Sequence, residues 1–399
     1  MFKFFVENKI IVLLFSVFIV IYIIAINRGL ELLYVIAELS LATLILSFIA
    51  PYFNMIGIDV SIKHPKYSTQ TQSIPITIEV STSSFFSKFF LEIWLKTPFS
   101  NNNNHMFFIK NLEKKLIIES NISSDIRGVH SIGPLHIQTG FPLGLKTFTK
   151  VFEDTKSEIV IFPTPLKVKN FPLSTDEYSA LHGDNKSKRK GGHDEFVSIR
   201  EYKRGDSPRH IHWPSSAKKG ELIVREYQDI LSSSLIIILD LNKDFNVGSA
   251  KESTLEYAIT IASSLAIYGL DKGYSVSIFG HGKDELKLID IKGPHNHSEI
   301  LKSLAFVDSN GDESYTDAIE YFLSLQKRSA TLILFDNGSG KVEENMGVYS
   351  SKFSKPILFD IEAETFNQDT LNEEFEVNNY SRFYKYTLKK GCDIERMLS

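Results

Sequence analysis

The densest set of chemically active side chains lies between residues 192 and 226, a stretch rich in His, Arg and carboxylates. The run Gly205-Asp-Ser-Pro208 is typical of a turn in which the Asp206 carboxylate accepts backbone N–H groups at a helix start. Trp213 supplies a large apolar anchor. Three arginines can fork onto neighbouring carboxylates such as Glu195, Glu201 or Glu226: Arg200, Arg209 and Arg225. The segment therefore predicts either a charged network that locks a domain junction or a surface that docks a partner protein.

Catalytic interpretations of the same segment rest on fewer residues. Ser215-Ser-Ala-Lys218 fits the Ser-x-x-Lys pattern of penicillin-interacting enzymes, but no Ser-Asp-Asn or Lys-Thr-Gly accompanies it. His210 and His212 could share a strand face and bind zinc, although no further zinc ligands are evident. The sequence has no Gly-x-x-x-x-Gly-Lys-Ser/Thr loop, so it is not itself a P-loop ATPase. We expect a non-enzymatic protein, and a membrane-bound hydrolase that uses His212, Ser215 and Lys218 is the alternative.

The segment resembles the signature of the domain-of-unknown-function 58 family. Arg127-Gly128, the turn Phe141-Pro-Leu-Gly144 and Phe162-Pro163 also look like this family, so the resemblance covers most of the chain. It implies a membrane hairpin, a β-domain, a von Willebrand factor A-like domain and a companion AAA+ ATPase of the MoxR type. The matching signature positions are Phe196, Arg200, Tyr202, Gly205, Asp206, Arg209, His212, Trp213, Ala217, Arg225 and Glu226.

The resemblance also implies a magnesium site in the A-like domain. Such domains hold Mg²⁺ through Asp-x-Ser-x-Ser after the first strand, a Thr from a second loop and an Asp from a third. The corresponding positions here are Asp240, Asn242, Asp244, Thr316 and Asp336. Both serines are replaced, yet oxygen ligands remain, so a hard cation such as Mg²⁺ is chemically possible. A calcium-binding EF-hand loop is excluded, because Phe245 and Lys251 stand where that loop needs Gly and Glu.

The elements that position these residues follow from hydrophobic patterning. Leu235-Ile-Ile-Ile-Leu-Asp240 predicts a buried parallel strand. Further strands near 274–279, 331–335 and 355–359 alternate with helices near 251–268, 297–306 and 315–326. This alternation over residues 235–399 predicts an α/β doubly wound sheet, whose site lies at the carboxyl ends of its strands.

Two segments precede this sheet. Short alternating runs over residues 56–165 predict a small β-sandwich, in which Phe141-Pro-Leu-Gly-Leu145 forms a turn. Residues 166–234 are interpreted as a linker followed by the signature segment.

Residues 1–55 predict a transmembrane helical hairpin. Two apolar runs, 10–26 and 30–49, flank a break at 27–29, and Pro51 closes the second run. A cleaved signal peptide is the alternative, but no small-x-small cleavage site follows the first run. Glu38 is either a functional acid inside the membrane or a side chain that reaches toward Arg28 or water.

The charges flanking the hairpin favour a cytoplasmic body. Lys3 and Lys9 precede the first run, and Lys63, His64 and Lys66 follow the second, so the positive-inside rule places both flanks in the cytoplasm.

Composition narrows the function further. The chain has 399 residues, 43% of them hydrophobic, and a net charge of −4, which argues against binding nucleic acid through a basic domain. Its single cysteine, Cys392, excludes an internal disulfide. We expect a cell-membrane protein that docks protein partners through the A-like domain, in complex assembly or at the cell envelope. An outward-facing, metal-dependent adhesion module is a further hypothesis, which a cytoplasmic body would eliminate.

Overall fold

The structure is a computed structural model, and it describes residues 9–99, 104–173, 194–202, 211–229, 234–324, 330–353, 356–368 and 374–399. The side chains of residues 9, 194–200 and 225–229 are outside that description. The chain divides into two compact units, Met1–Thr164 and Pro165–Ser399.

The first unit begins with two apolar helices, α1 (Lys9–Arg28) and α2 (Glu31–Met55), joined at Gly29. Both are long and apolar enough to cross a membrane. The expected end of the second helix at Pro51 is wrong, because α2 continues one turn further to Met55. The Asn54 side chain in this last turn donates to the Phe89 carbonyl (2.7 Å) and accepts from the Phe89 N–H (3.0 Å). These bonds to the neighbouring strand hold the extra turn in place.

Polar side chains within α2 bond to the helix's own backbone. The hydroxyls of Ser40, Thr43 and Ser47 each donate to a carbonyl three or four residues earlier, at 2.7–2.8 Å. Such bonding makes hydroxyl side chains compatible with an apolar surrounding. Glu38 is exposed.

Three small sheets complete the first unit, with strand orders β1-β3-β6, β2-β10-β7 and β5-β4-β8-β9. Alternate residues of their strands, such as Ile74, Ile76 and Ile78 on β3, point into one shared core. The strands are β1 (Ile58–Lys63), β2 (Tyr67–Thr69), β3 (Ile74–Thr82), β4 (Lys88–Lys96), β5 (Asn104–Leu112), β6 (Lys115–Ile122), β7 (Gly128–Ile132), β8 (Leu135–Thr139), β9 (Phe148–Phe152) and β10 (Ser157–Phe162).

The second unit contains a two-stranded antiparallel pair and a seven-stranded mixed sheet. The pair is β11 (Asp194–Glu201) with β12 (Ile223–Asp229), and helix α3 (Trp213–Lys219) lies between them in the chain. The seven-stranded sheet has the order β17-β16-β13-β18-β19-β21-β20. Its strands are β13 (Ser234–Leu239), β16 (Ser275–His281), β17 (Glu285–Ile291), β18 (Ala330–Asp336), β19 (Ile357–Ile361), β20 (Phe375–Asn379) and β21 (Tyr384–Leu388). A separate two-stranded ribbon consists of β14 (Gly248–Ser249) and β15 (Glu252–Ser253).

Helices cover both faces of the seven-stranded sheet. On β13, Leu235, Ile237 and Leu239 pack toward the helices Thr254–Asp271 and His297–Ala305, whereas Ile236 and Ile238 pack toward the helices Tyr315–Ser324 and Lys341–Lys352. Because side chains alternate along a strand, an unbroken apolar run is what a strand buried on both faces requires. The helices are α4 (Thr254–Asp271), α5 (His297–Ala305), α6 (Tyr315–Ser324), α7 (Lys341–Lys352), α8 (Ala363–Phe366) and α9 (Ile394–Met397).

The coarse fold expectation is therefore confirmed: an N-terminal apolar helical pair accompanies a mixed sheet with a parallel-rich core. Strands β13, β16, β18, β19 and β21 are parallel, and only β17 and β20 run the other way. The linker interpretation of residues 166–234 did not anticipate that Phe171 and Leu173 are buried in the core of this sheet. The Leu173 carbonyl also accepts bonds from the Tyr274 and Thr331 hydroxyls, both at 3.0 Å.

Candidate functional site

Two aspartates lie side by side at the carboxyl ends of the two central strands. Ile238 of β13 pairs with Leu334 of β18, and Asp240 and Asp336 each come two residues later. From β13 the chain crosses to β16 on one side, and from β18 it crosses to β19 on the other. The aspartates therefore stand at the point where the strand order reverses, which is where open α/β sheets bind their ligands.

Asp240 is strongly perturbed by this location. Burial raises the pKa of Asp240 to about 7, and the negative charges of Asp336 and Asp244 add to the effect. The Asn242 N–H, which donates to Oδ1 of Asp240 at 2.9 Å, and the positive charge of Lys341 act in the opposite direction. Because the ionised form of Asp240 is unfavourable at this position, its carboxyl group readily binds a proton or another cation near neutral pH.

Asp336 is 3% exposed, and its two oxygens differ. Oδ1 accepts the Asn337 N–H at 2.8 Å and the Ser339 hydroxyl at 2.6 Å. Oδ2 is buried and has no hydrogen-bond partner among the described residues. A buried carboxylate oxygen without a partner is unfavourable by roughly 1–3 kcal/mol or more, so this atom is poised to accept a ligand from outside the fold.

Tyr315 fixes the geometry beside the two aspartates. Its hydroxyl donates to the Ile238 carbonyl at 2.6 Å and accepts the Phe335 N–H at 3.2 Å, which links β13 to β18 directly before the aspartates. Burial, followed by the charge of Asp240, raises the Tyr315 pKa well above its ordinary value, so the hydroxyl stays protonated. Sequence reasoning missed this residue, although it stands next to Thr316, because nothing in its type distinguishes it from a core tyrosine.

Two of the three remaining predicted magnesium ligands, Asn242 and Thr316, form hydrogen bonds to other groups. The Asn242 side chain accepts the Asp244 N–H (2.9 Å) and donates to the Glu313 carbonyl (2.8 Å). The Thr316 hydroxyl pairs with that of Ser314 at 2.7 Å, and the Asp244 side chain is exposed. Across the described ranges, no group of three His, Cys, Asp or Glu side chains could hold a metal ion.

The donor set therefore fits Mg²⁺ only in part. Asp240 and Oδ2 of Asp336 are suitable hard oxygen ligands, whereas Asn242 and Thr316 would have to give up existing hydrogen bonds. Magnesium binding stays a prediction. What the arrangement offers by itself is a pair of carboxylates, one buried and one half-buried, that favour any cationic group: a metal ion, or the Lys or Arg side chain of another protein.

The signature segment is described only in part. Gly205, Asp206 and Arg209 lie outside the described residues, and Phe196, Arg200 and Arg225 are placed by their backbone alone. β11 and β12 pair with Ile199 opposite Arg225, and the Tyr202 N–H donates to the Leu222 carbonyl at 2.8 Å.

Helix α3 is tied to this strand pair. The Ser216 hydroxyl accepts the Ile223 N–H at 2.9 Å and donates to the His212 carbonyl at 3.1 Å. Trp213, at the start of α3, is 64% exposed, although we expected a large apolar anchor at this position. Nδ1 of His212 and the Ser215 hydroxyl form a hydrogen bond of 2.6 Å. The exposed indole is thus available to a partner, and the two residues of the hydrolase hypothesis are in contact.

Comparisons with known proteins show that this region is similar to a known family. Residues 198–350 match the family described as "Protein of unknown function DUF58", which confirms the resemblance seen in the signature segment. Both the aspartate pair and Trp213 fall inside the match. The chain is 23% identical over 181 residues to the uncharacterized protein YeaD of Bacillus subtilis (strain 168). That alignment covers 45% of this chain and 42% of YeaD, so the chain matches less than half the length of this relative.

Solved structures align with the chain only at low TM-scores. The CARDB domain of PF1109 from Pyrococcus furiosus gives a TM-score of 0.20 at 8% identity, over 26% of this chain and 91% of that one. The DNA glycosylase AlkC of Pseudomonas fluorescens gives 0.18 at 12% identity, over 35% and 42% of the two chains. Scores this low carry no argument about fold or function.

Proposed function

We propose that this chain, whose residues 198–350 carry the DUF58 match, is a membrane-anchored scaffold that docks protein partners through the carboxyl edge of its α/β sheet. The observation that carries this proposal is Oδ2 of Asp336 beside Asp240, which is buried and has no hydrogen-bond partner in the part of the chain that the structure describes. A carboxylate oxygen that no described residue satisfies, at the ligand-binding edge of the sheet, favours a cation supplied by a partner. The cation is a Lys or Arg of the partner, or a metal ion that the partner's own carboxylate also contacts.

The topology supports the assignment of a von Willebrand factor A-like domain. With the edge strand β20 left out, the other six strands along the chain are β13, β16, β17, β18, β19 and β21, and their spatial order is 3-2-1-4-5-6. This is a doubly wound order, modified here by an antiparallel third strand and an added edge strand, β20.

The partner proposed is an AAA+ ATPase of the MoxR type, on the strength of the family resemblance. The absence of a nucleotide-binding loop in the sequence agrees with an energy source on another chain. Helices α1 and α2 would hold the body at the membrane, and the basic flanks of the hairpin support a cytoplasmic body.

Partner capture from native membranes tests the docking surface. The full chain carries Asp336→Asn, or the matched control Asp271→Asn, an exposed carboxylate next to Lys272 that contacts His297 at 3.0 Å. If a cationic group docks on Asp336, the first variant should lose about 2 kcal/mol of binding free energy, roughly 30-fold in affinity, and the control should bind as wild type. Recovery of no ATPase by wild type would refute the proposed partner, and equal capture by both variants would refute the docking site.

Removing divalent metal ions distinguishes docking through a Lys or Arg side chain from docking through a bridging metal ion. If the partner's own cationic side chain enters the site, capture should survive EDTA, whereas a bridging metal ion makes capture depend on added Mg²⁺. The same experiment therefore tests whether Mg²⁺ takes part in docking at the predicted site.

A hydrolase remains the second candidate, favoured by the 2.6 Å contact between His212 and Ser215. A nucleophile and its general base must lie within hydrogen-bond reach, about 2.6–3.2 Å, and this pair does. If the protein is a hydrolase, Ser215→Ala and Lys218→Ala should abolish its activity, and Lys219→Ala serves as the control. Under the scaffold proposal the two substitutions leave partner capture intact.

A further inference from the structure

An unusually exposed group of apolar side chains lies on the first unit. We call it the aromatic end, and it comprises Phe85, Phe86, Phe90, Phe108 and Leu143, whose exposed fractions are 96%, 75%, 43%, 56% and 53%. Several large apolar side chains exposed on one end of a folded protein indicate an interaction site.

Two hydrogen bonds place the first part of this surface beside the end of α2. The Ser83 N–H donates to the Gly57 carbonyl at 2.9 Å, so the loop that carries Phe85 and Phe86 starts next to the residues that follow the helix. Nζ of Lys88, directly after this loop, donates to the Phe53 carbonyl in the last turn of α2 at 3.0 Å.

Ring contacts place the second part at the same end. Phe141, in the loop between β8 and β9, stacks on Phe89 and Phe90 with ring centroids 5.2 and 6.0 Å apart. Tyr52, in the last turn of α2, meets Phe148 edge-on at 5.6 Å. The loops 83–87 and 140–147 therefore both surround the point where α2 ends.

The length of α2 sets the depth of this surface. Its 25 residues rise about 37 Å, whereas the hydrocarbon core of a bilayer is about 30 Å thick. The last turn must then emerge at the level of the lipid headgroups, together with the loops attached to it. Phe and Leu side chains are favourable at that depth.

The charge of the two loops is also compatible with a position at the lipid headgroups. Residues 83–87 and 140–147 contain no Asp or Glu, and Lys146 is exposed in the second loop. A basic residue beside apolar side chains matches an anionic lipid surface.

We propose that the aromatic end inserts into the headgroup region of the bilayer that α1 and α2 span, so that the β unit lies against the membrane. This inference rests on the proposed membrane anchoring. The lipid contact adds a second attachment beside the hairpin, and it fixes the orientation of the β unit at the membrane surface.

Depth-dependent quenching tests the insertion. The full-length protein, with buried Cys392 replaced by Ser, receives one cysteine for an environment-sensitive nitrobenzoxadiazole (NBD) label at Phe86→Cys, and in a second preparation at Leu143→Cys. Asp154→Cys is the control, because Thr155 next to it bonds to Leu135, which pairs with Leu95 at the far end of β4. Val20→Cys in α1 reports the hairpin. Each protein is reconstituted into phosphatidylcholine–phosphatidylglycerol vesicles with and without brominated chains.

Brominated lipid should quench the labels at positions 20, 86 and 143 and leave position 154 unchanged. Quenching at 20 without quenching at 86 and 143 would overturn this inference and leave the anchoring intact. A blue-shifted but unquenched label at 86 would also overturn it, since a protein surface rather than lipid would then cover the aromatic end. Absence of quenching at all positions would refute the anchoring and the inference together.

Discussion

Replacing Asp240 by Asn should stabilise the second unit at alkaline pH while it removes the docking function. The pKa of Asp240 rises from its ordinary 3.8 to about 7 in the folded chain. The folded state therefore binds this proton more tightly than the unfolded state, and stability is greatest at low pH and falls as pH increases toward 7. The pKa difference corresponds to about 4 kcal/mol, an upper figure because the side chain is only half-buried.

The wild-type protein should accordingly lose up to about 3 kcal/mol of unfolding free energy between pH 5 and pH 8. Asp240→Asn carries no charge at either pH, so its free energy should change less, and it should exceed wild type at pH 8. Cys392, buried in the core of the seven-stranded sheet, reports this unit alone. The reaction of its thiol with 4,4′-dithiodipyridine, a reagent that works at both pH values, is measured in detergent as a function of urea concentration.

The exposed carboxylate Asp312 provides the matched control for this experiment. Asp312→Asn should show the same loss of stability between pH 5 and pH 8 as wild type. Two results would refute the reasoning about this carboxylate. In the first, the urea midpoint of wild type falls between pH 5 and pH 8 by no more than that of Asp240→Asn. In the second, Asp240→Asn is less stable than wild type at pH 8.

Two further substitutions test packing in each unit. Lys385→Met removes a cation that contacts Glu343 at 2.6 Å and the buried Asp360 at 2.9 Å, so the second unit should lose about 3 kcal/mol, measured by the same Cys392 exposure. Asn54→Ala removes the bonds between α2 and Phe89, so the first unit should lose about 2 kcal/mol, measured by the urea dependence of proteolysis in that unit.

Each of these substitutions has its own check. Lys287→Met removes a surface contact to Glu285 at 3.9 Å and should change stability by less than about 1 kcal/mol. If Lys385→Met behaves like Lys287→Met, the pair with Asp360 does not stabilise the fold. If Asn54→Ala leaves the first unit as stable as wild type, the bonds to Phe89 do not hold the last turn of α2.

The sequence predicted the core of the sheet well because hydrophobic patterning is a local property. The run Leu235–Leu239 is apolar at every position, and only a strand buried on both faces requires that. The two aspartates were found through the pattern of a related domain, since each directly follows or ends a recognisable strand. Their pairing depends on a register of β13 against β18 that no local signal encodes.

Other features could not be predicted from the sequence because they arise from contacts between distant segments. Phe171 and Leu173 stand in a polar neighbourhood of the sequence, yet they pack against the sheet. Phe85 and Phe86 follow a serine-rich stretch that indicates a loop. The sequence does not show that this loop lies beside the end of α2, which is what suggests a contact with lipid. The extension of α2 past Pro51 likewise depends on the bonds from Asn54 to a strand 35 residues away.

Site-specific crosslinking in native membranes tests the central claim most directly. A photo-reactive residue replaces Glu313, which is exposed and whose backbone bonds to Asn242 beside the aspartates, or Lys272, which is exposed at the opposite end of the sheet. The scaffold proposal predicts a crosslink from position 313 to an AAA+ ATPase, lost in Asp336→Asn, and none from position 272. Equal crosslinking from both positions, or a crosslink from position 313 that Asp336→Asn leaves unchanged, would contradict docking at the carboxyl edge of the sheet.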